Sequence, residues 1–348
     1  MSEYSITTVY PSDRRMMEKV TALLQGEGIR LDANLDYTCA VVDEDYNVLA
    51  TGSCFKNTLR CMAVSHEHQG EGLMNTVVSH LIDLQYQRGN VHLYLYTKCS
   101  SAKFFADLGF HEIVRIENEL VFMENSRTGF SDYLSRLKKE YREGSSIAAI
   151  VMNANPFTLG HRYLVEQAAR DNDVVHLFAV SEDASLIPYS MRKKLILEGV
   201  ADLPNVFVHD SGPYIISSAT FPSYFQRDEE SVIRGHALLD LTIFTRIAEA
   251  LGITTRYVGE EPRSLVTGIY NEIMQKELPI HGIRCVVIPR KEWNGEVISA
   301  STVRKALQEE NWNLLENLVP ETTYRYFKSS EATPLVARIR AAGNVIHY

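Results

Sequence analysis

The chain has 348 residues, 45% hydrophobic and 23% charged, with 35 Lys+Arg against 44 Asp+Glu and a formal net charge of −9. That length accommodates two domains with a core each, and the acidic balance argues against nonspecific nucleic-acid binding, which needs Lys and Arg to displace phosphate counterions. No apolar run approaches the ~18 residues of a membrane span, and Met1-Ser2-Glu3-Tyr4-Ser5 lacks the basic-then-apolar layout of a secretion signal, so a cytoplasmic protein without membrane or nucleic-acid partners is expected.

Strand-like runs at Tyr37 to Val42 and Val48 to Cys54 flank Asp43-Glu44-Asp45-Tyr46-Asn47, which is hairpin-turn chemistry. A third strand, Thr58 to Val64, leads through a Gly-bearing loop into an amphipathic helix from about Met74 to Arg88. A strand from Val91 to Thr97, a helix from Ser100 to Leu108 and a hairpin around Glu117-Asn118 follow. This order predicts a mixed sheet with helices on its faces.

The seam between domains is expected between Glu124 and Ser146. A polar turn at residues 125–129 precedes a charged helix, Ser131 to Tyr141, whose Tyr133, Leu134, Leu137 and Tyr141 recur at three- and four-residue spacing as a packing face. The predicted organisation is therefore a first domain over 1–125, a linker helix over 126–146 and a second domain over 147–348. The second domain opens with the apolar strand Ile147 to Met152, and short apolar runs follow at Val174–Val180, Val206–Val208, Arg256–Val258 and Cys285–Ile288. Such strands, buried on both faces and separated by helical segments, predict a parallel sheet of βα units. Ligands of such sheets bind at the carboxyl ends of the strands. That directs attention to Asn153 onward, to Ser181, Glu182 and Asp183, and to Gly259, Glu260 and Glu261.

After the first of these strands comes Asn153-Ala154-Asn155-Pro156-Phe157-Thr158-Leu159-Gly160-His161, then a helix expected over Arg162 to Arg170. Pro156 forces a turn, and Gly160 has no side chain to keep a phosphate from the backbone. The helix start presents N–H groups and a positive dipole end to an anion. His161 is placed there to donate to a phosphoryl oxygen as charge develops, although a lone His at a helix start is more often a cap or a surface imidazole. Near the end of the sheet, Ile298-Ser299-Ala300-Ser301-Thr302-Val303-Arg304 opens a helix expected over Val303 to Glu310. Ser299 or Ser301 can cap it, and Arg304 carries a planar fork of donors suited to phosphate; taken singly, these are ordinary caps and a solvated Arg. Arg192, Lys193 and Lys194 read as a solvated helix face, with triphosphate binding as the sharper alternative.

In the first domain, His66-Glu67-His68-Gln69-Gly70-Glu71-Gly72-Leu73-Met74 joins a strand to the amphipathic helix, and backbone amides at such a helix start can cradle a pyrophosphate. A tight turn alone would also use Gly70 and Gly72. His66 and His68 lack a third ligand in reach, so no metal site is expected. The five cysteines, Cys39, Cys54, Cys61, Cys99 and Cys285, are odd in number with no C-x-x-C pair, and read as buried free thiols.

The stretches around Thr158-Leu159-Gly160-His161 and Ile298-Ser299-Ala300-Ser301-Thr302-Val303-Arg304 resemble the T/H-x-G-H and I-S-S-T-x-x-R signatures of the nucleotidylyltransferase superfamily. Met152 to Pro156 departs from that superfamily's Gly-x-Phe-Asp-Pro lead-in, and Ala300-Ser301 stands for Ser-Thr. The Gln69-to-Gly72 loop and the stretch Ala102-Lys103-Phe104-Phe105 to Gly109-Phe110 resemble two signatures of the GNAT N-acetyltransferase superfamily, with Met74 in place of a Gly/Ala. The fold these imply is α/β: an N-terminal GNAT-like mixed-sheet domain followed by a Rossmann-like, parallel-sheet nucleotidylyltransferase domain.

In this combination, with Ser181 to Tyr189 and Tyr257-Val258-Gly259-Glu260-Glu261-Pro262 in support, nearly the whole chain resembles the citrate lyase ligase family. The resemblance implies an AMP-forming ligase that uses ATP, carrying Mg²⁺ mainly through its phosphates, with no permanent cofactor. It activates acetate as acetyl-adenylate with release of pyrophosphate. It then acetylates the thiol of the CoA-derived prosthetic group on the acyl-carrier subunit of citrate lyase. Thr158, His161 and Arg304 are the implied catalytic residues; Asn155, Gly160, Gly259, Ser299 and Ser301 would contact the nucleotide, and Gln69, Gly70 and Gly72 the CoA-like arm. The alternatives are a pantetheine-phosphate or NMN-type adenylyltransferase fused to an N-acetyltransferase, and a non-catalytic nucleotide sensor.

Overall fold

The computed structural model describes residues 4–33, 35–182, 185–215, 229–260 and 265–342. The chain forms two compact units, Met1–Phe130 with Pro222–Gly235, and Ser131–Phe221 with His236–Tyr348. No described helix is long and apolar enough to cross a membrane.

The first unit contains β1 (Ser5–Thr8), α1 (Arg14–Gly26), β2 (Tyr37–Val42), β3 (Val48–Phe55), β4 (Thr58–Val64), α2 (Leu73–Gln87), β5 (Tyr94–Thr97), α3 (Ala102–Asp107), β6 (His111–Ile116) and β7 (Leu120–Glu124). The strands form one mixed sheet in the order β1-β2-β3-β4-β5-β7-β6. The β2–β3 hairpin turns where Asp43 accepts Asn47 N–H at 2.7 Å and Asn47 Nδ2 at 2.9 Å, with Tyr46 at φ +61°. The sequence reading passed over α1. Its signal is present in Asp13, which caps the Met16 N–H at 3.1 Å, and in the buried Val20 and Leu24 four residues apart. The strand expected from Val91 begins only at Tyr94, because Asn125 substitutes for a neighbouring strand: its amide accepts Leu93 N–H at 2.8 Å and donates to Val91 O at 3.1 Å.

Among the described residues the only parallel pair in this sheet is β4–β5, and its register holds only at Thr58–Tyr94 and Leu59–Leu95. Beyond these residues the strands part, and Met62 to Val64 and Tyr96 to Lys98 become opposite walls of a cavity of about 600 Å³.

The boundary between units falls in the first turn of α4 (Gly129–Lys139), where Tyr133 and Leu137 are buried. Tyr141, expected on the same face, lies past the helix end and is 46% exposed. The second unit continues with β8 (Ile147–Met152), α5 (Leu159–Asp171), β9 (Val174–Ala179), α6 (Tyr189–Gly199), β10 (Val206–Asp210), α7 (Glu229–Leu251), β11 (Thr255–Gly259), α8 (Leu265–Ile280), β12 (Arg284–Ile288), the short pair β13 (Glu292–Trp293) and β14 (Glu296–Val297), then α9 (Ala300–Gln308), α10 (Trp312–Glu316), α11 (Glu321–Lys328) and α12 (Thr333–Ala341). All five long strands are parallel, in the order β10-β9-β8-β11-β12. The strand order therefore reverses between β8 and β11, the place where open α/β sheets bind ligands. There the ladder stops at Thr255–Ala148 and Arg256–Ala149, so the carboxyl ends of β8 and β11 diverge and open a crevice.

His176 on β9 is fully buried, its Nδ1 2.8 Å from His209 Nε2, and its own Nε2 has no partner. Burial, with His209 and Arg142 nearby, lowers its pKa to about 4. The neutral ring is thus the folded form, and its contribution is complete above the unfolded value near 6.5 and lost as pH falls toward 4. Urea unfolding at pH 7 and pH 5 should show this one group removing about 2 kcal/mol. His176→Gln should flatten the pH dependence by that amount; an unchanged slope would contradict the assignment.

Candidate active site

At the crevice, Thr158 is the cap of α5, which begins at Leu159 and so places His161 inside its first turn instead of before it. Thr158 Oγ1 accepts the His161 N–H at 3.2 Å, and His161 Nδ1 accepts the Thr158 N–H at 3.1 Å, with Thr158 Oγ1 also 2.9 Å away. This reciprocal cap has His161 in the position a Glu or Gln usually fills. Its chemical consequence is tautomeric: an Nδ1 that accepts a backbone N–H leaves the proton on Nε2. Burial first, and the Arg290 guanidinium second, lower the His161 pKa to about 4, so the ring is a neutral N–H donor at neutral pH. Phe157 stacks on it at 5.9 Å and 17°. A Cβ at Gly199 would come within 2.4 Å of the Phe157 ring, so that glycine leaves room for the aromatic support. Thr158 is itself only 1% exposed, which makes it a residue that orients His161.

The second motif is tied to the first. Arg304, in α9, donates from Nη1 to the Asn155 carbonyl at 2.7 Å. It is buried, and burial lowers its pKa. Asn155 is buried too and accepts the Ile187 N–H on Oδ1 at 3.2 Å, so its side chain shapes the loop. A Cβ on Gly160 would lie 3.0 Å from the Ile298 carbonyl, so this glycine lets the start of α5 approach the segment that leads into α9. α9 starts three residues before the expected Val303, with Ser299 as the cap that accepts the Thr302 N–H at 3.1 Å. Ser301 Oγ lies 2.7 Å and Thr302 Oγ1 2.8 Å from Ser299 Oγ, giving three hydroxyls at one helix start.

Gly259 ends β11, and an added Cβ there would meet nothing within 4 Å, which leaves open space at the strand end. Its carbonyl accepts from Asn271 Nδ2 at 3.2 Å. Ser181 donates its N–H to Ser211 Oγ at 2.8 Å. Asp183 and Glu261 lie outside the described residues.

Two arginines modify the sequence reading. Arg192 does not belong to a solvated face: it is fully buried and donates to the carbonyls of Ile187 (3.1 Å), Asn153 (2.8 Å), Val180 (2.9 Å) and Glu182 (2.6 Å), and to Asn153 Oδ1 at 2.7 Å. It clasps the loops after β8 and β9 to α6. Its neighbours are surface pairs, Lys193 with Asp210 at 2.6 Å and Lys194 with Glu331 at 3.2 Å. Arg290, passed over in the sequence, follows β12 and donates to the Glu260 carbonyl at 2.6 Å. The Ile298 N–H to Lys291 carbonyl bond (3.0 Å) closes the β13–β14 hairpin beside it, which brings Arg290 back toward the α9 start. The available signal was a basic pair, Arg290-Lys291, one residue past an apolar strand.

In the first unit, Gln69, Gly70 and Gly72 all line the 600 Å³ cavity, together with Met74, Tyr96 and Phe104. Gly70 (φ +91°) and Gly72 (φ +79°) hold left-handed backbone that other residues rarely adopt, and Gly72 caps α2. The cavity therefore joins a helix start to the splayed strands.

The model of the "Citrate lyase ligase C-terminal domain" family matches residues 147–327. The Escherichia coli [citrate [pro-3S]-lyase] ligase is 39% identical over 329 residues, covering 93% of this chain and 93% of that protein. The chain belongs to the citrate lyase ligase family. Solved structures similar in part include the ribosomal-protein-S18-alanine N-acetyltransferase of E. coli (18% identity, TM-score 0.29, covering 35% of this chain and 92% of that one). Another is a Vibrio parahaemolyticus protein assigned as a nicotinate-nucleotide adenylyltransferase (18% identity, TM-score 0.35, 56% and 95%). Within this ligase family fold, the mixed sheet and the parallel sheet each carry one of the two glycine-bearing loops.

The Arg192 clasp predicts an asymmetry between adjacent basic residues. Arg192→Met should lower unfolding free energy by about 3 kcal/mol or more, because it strands five acceptors, two buried and three part-buried. Lys194→Met should stay within about 0.5 kcal/mol. Denaturant titration of both variants measures the difference.

Proposed function

We propose that the chain is an AMP-forming acetate ligase: it activates acetate with ATP and passes the acetyl group to the thiol of the CoA-derived prosthetic group on the acyl-carrier subunit of citrate lyase. The observation that carries the first step is the His161 tautomer. A neutral imidazole whose Nδ1 is occupied by the Thr158 N–H offers Nε2–H as a fixed donor. Such a donor stabilises charge that grows on an α-phosphoryl oxygen.

In the reaction, an acetate oxygen forms a bond to the α-phosphorus as the bond to the bridging oxygen of the β-phosphate breaks, giving acetyl-adenylate and pyrophosphate. Ser299, Ser301 and the amides at the α9 start receive the departing phosphates, together with the outer face of Arg304 and Arg290. Asn155 and Gly160 shape the loop under the α-phosphate, and Gly259 leaves space for the nucleoside. The thiol then attacks the acetyl carbonyl, the thiol proton is lost, and AMP leaves. Positioning and charge stabilisation suffice, without a covalent enzyme intermediate. Mg²⁺ arrives on the triphosphate; among the described residues no group of three or more His, Cys, Asp or Glu side chains is placed to hold a metal. In the first unit, Gln69, Gly70 and Gly72 receive the pyrophosphate of the CoA-like arm, and the β4–β5 cavity receives its pantetheine portion.

The test is exchange of labelled pyrophosphate into ATP. Exchange should require acetate and fall by about 10²–10³-fold in His161→Gln. Because His161 stays neutral down to about pH 4, the wild-type rate should not decline as pH rises through 6.5. Exchange independent of acetate would overturn the reading, as would an activity loss near pH 6.5 that disappears in His161→Gln.

A further inference from the structure

β10 forms one edge of the parallel sheet. Backbone groups alternate in direction along a parallel strand, and the Val175 N–H to Asn205 carbonyl bond (2.9 Å) fixes which residues face β9. By that alternation Val206, Val208 and Asp210 present their backbone outward. Val206 N–H turns back to Leu203 O at 3.2 Å and Asp210 O lies 3.5 Å from the Tyr133 hydroxyl, so the outward edge centres on Val208. This edge is the floor of a groove of about 260 Å³. On one face of the strand the groove is walled by Leu197, Val200 and Leu203, and on the other by Glu140 and Arg142. Leu197, on the apolar wall, is 45% exposed. A cavity that takes in both faces of an edge strand has the shape an added strand fills.

The charges on the polar wall specify what that strand is. Arg142 sits over the Phe207 ring at 5.0 Å, and Glu140 Oε2 lies 2.8 Å from His209 Nδ1, so one positive and one negative group occupy positions two residues apart along β10. In an antiparallel pairing of two such strands about Val208, the two Val208 residues form the central hydrogen-bonded pair, and each Phe207 faces the other copy's His209. Arg142 of each copy then meets Glu140 of the other, twice, around a two-fold axis. The two half-buried Val208 side chains, each packed against its own core, lie side by side on the apolar side, with Leu197 and Leu203 in the same wall.

We propose that a second copy of this chain docks on β10, extending the five-stranded sheet into a continuous ten-stranded sheet across an isologous interface. Such pairing also covers an edge that a lone chain would leave open to aggregation.

Sedimentation velocity of the full chain over a concentration series tests this. Wild type should form a reversible dimer. Arg142→Glu sets Glu against Glu, Glu140→Arg sets Arg against Arg, and each should weaken the dimer by roughly ten-fold or more. Val208→Lys should do the same by opposing two ammonium groups at the axis. Mixing the Arg142→Glu and Glu140→Arg proteins should give a heterodimer, since each then meets its opposite, and this association also shows that both variants are folded. A wild type that sediments as a monomer throughout would overturn the proposal. So would a dimer indifferent to all three substitutions, or two single variants that fail to associate when mixed.

Discussion

The hydrogen bond from Arg304 to the Asn155 carbonyl, 2.7 Å long and buried, is the constraint on which the second unit's crevice depends. It joins the loop after β8 to the helix after the β13–β14 hairpin, two segments far apart in sequence. Beside it, Gly160 lets the start of α5 approach the Ile298 carbonyl so closely that an added Cβ would sit 3.0 Å from it, tighter than ordinary contact. Two helix starts are thereby held at one spot, and each adds N–H groups and a positive dipole end for an anion. Parting of β8 and β11 after Arg256 opens the space they face. Arg192 performs the same service from the other flank by fixing the loops after β8 and β9.

The electrostatics of the crevice follow from this packing. Buried guanidinium groups are costly unless their donors are satisfied, and Arg192 meets five acceptors. Arg304 uses one Nη on Asn155. The nearby Arg290 charge helps keep His161 neutral, so that the imidazole can serve as a donor through Nε2 without carrying a formal charge. In the proposed reaction, positive charge for the phosphates comes from arginines and helix ends, while the histidine supplies direction. Of the arginines around the crevice, Arg192 and Arg304 are buried, despite the chain's net charge of −9.

Much of this was legible in the residues. All five parallel strands were visible as short apolar runs, most plainly β8 and β9, which are buried almost throughout. The hairpin at Asp43–Asn47 and the two motif-bearing loops were legible from turn and cap chemistry. The misreadings have physical causes as well. Arg192 sits in an Arg-Lys-Lys run whose pattern says surface, and only the convergence of four loop carbonyls, from residues 5 to 39 positions away, makes burial favourable. Thr158 uses its hydroxyl within the cap, accepting the His161 N–H. Arg290 lies outside both motifs and enters the site through a hairpin closed by Ile298. The start of β5 gave way to Asn125, whose side chain imitates a strand partner that no strand periodicity encodes.

The account's central claim is that acetate attacks the α-phosphorus in the crevice shaped by Arg304, Asn155 and His161. Turnover with ATP, the acyl-carrier thiol and acetate labelled with ¹⁸O in its carboxylate follows that atom directly. The account predicts one labelled oxygen in the phosphoryl group of the AMP formed and none in the pyrophosphate. Label in inorganic phosphate, or unlabelled AMP formed alongside the thioester, would contradict it.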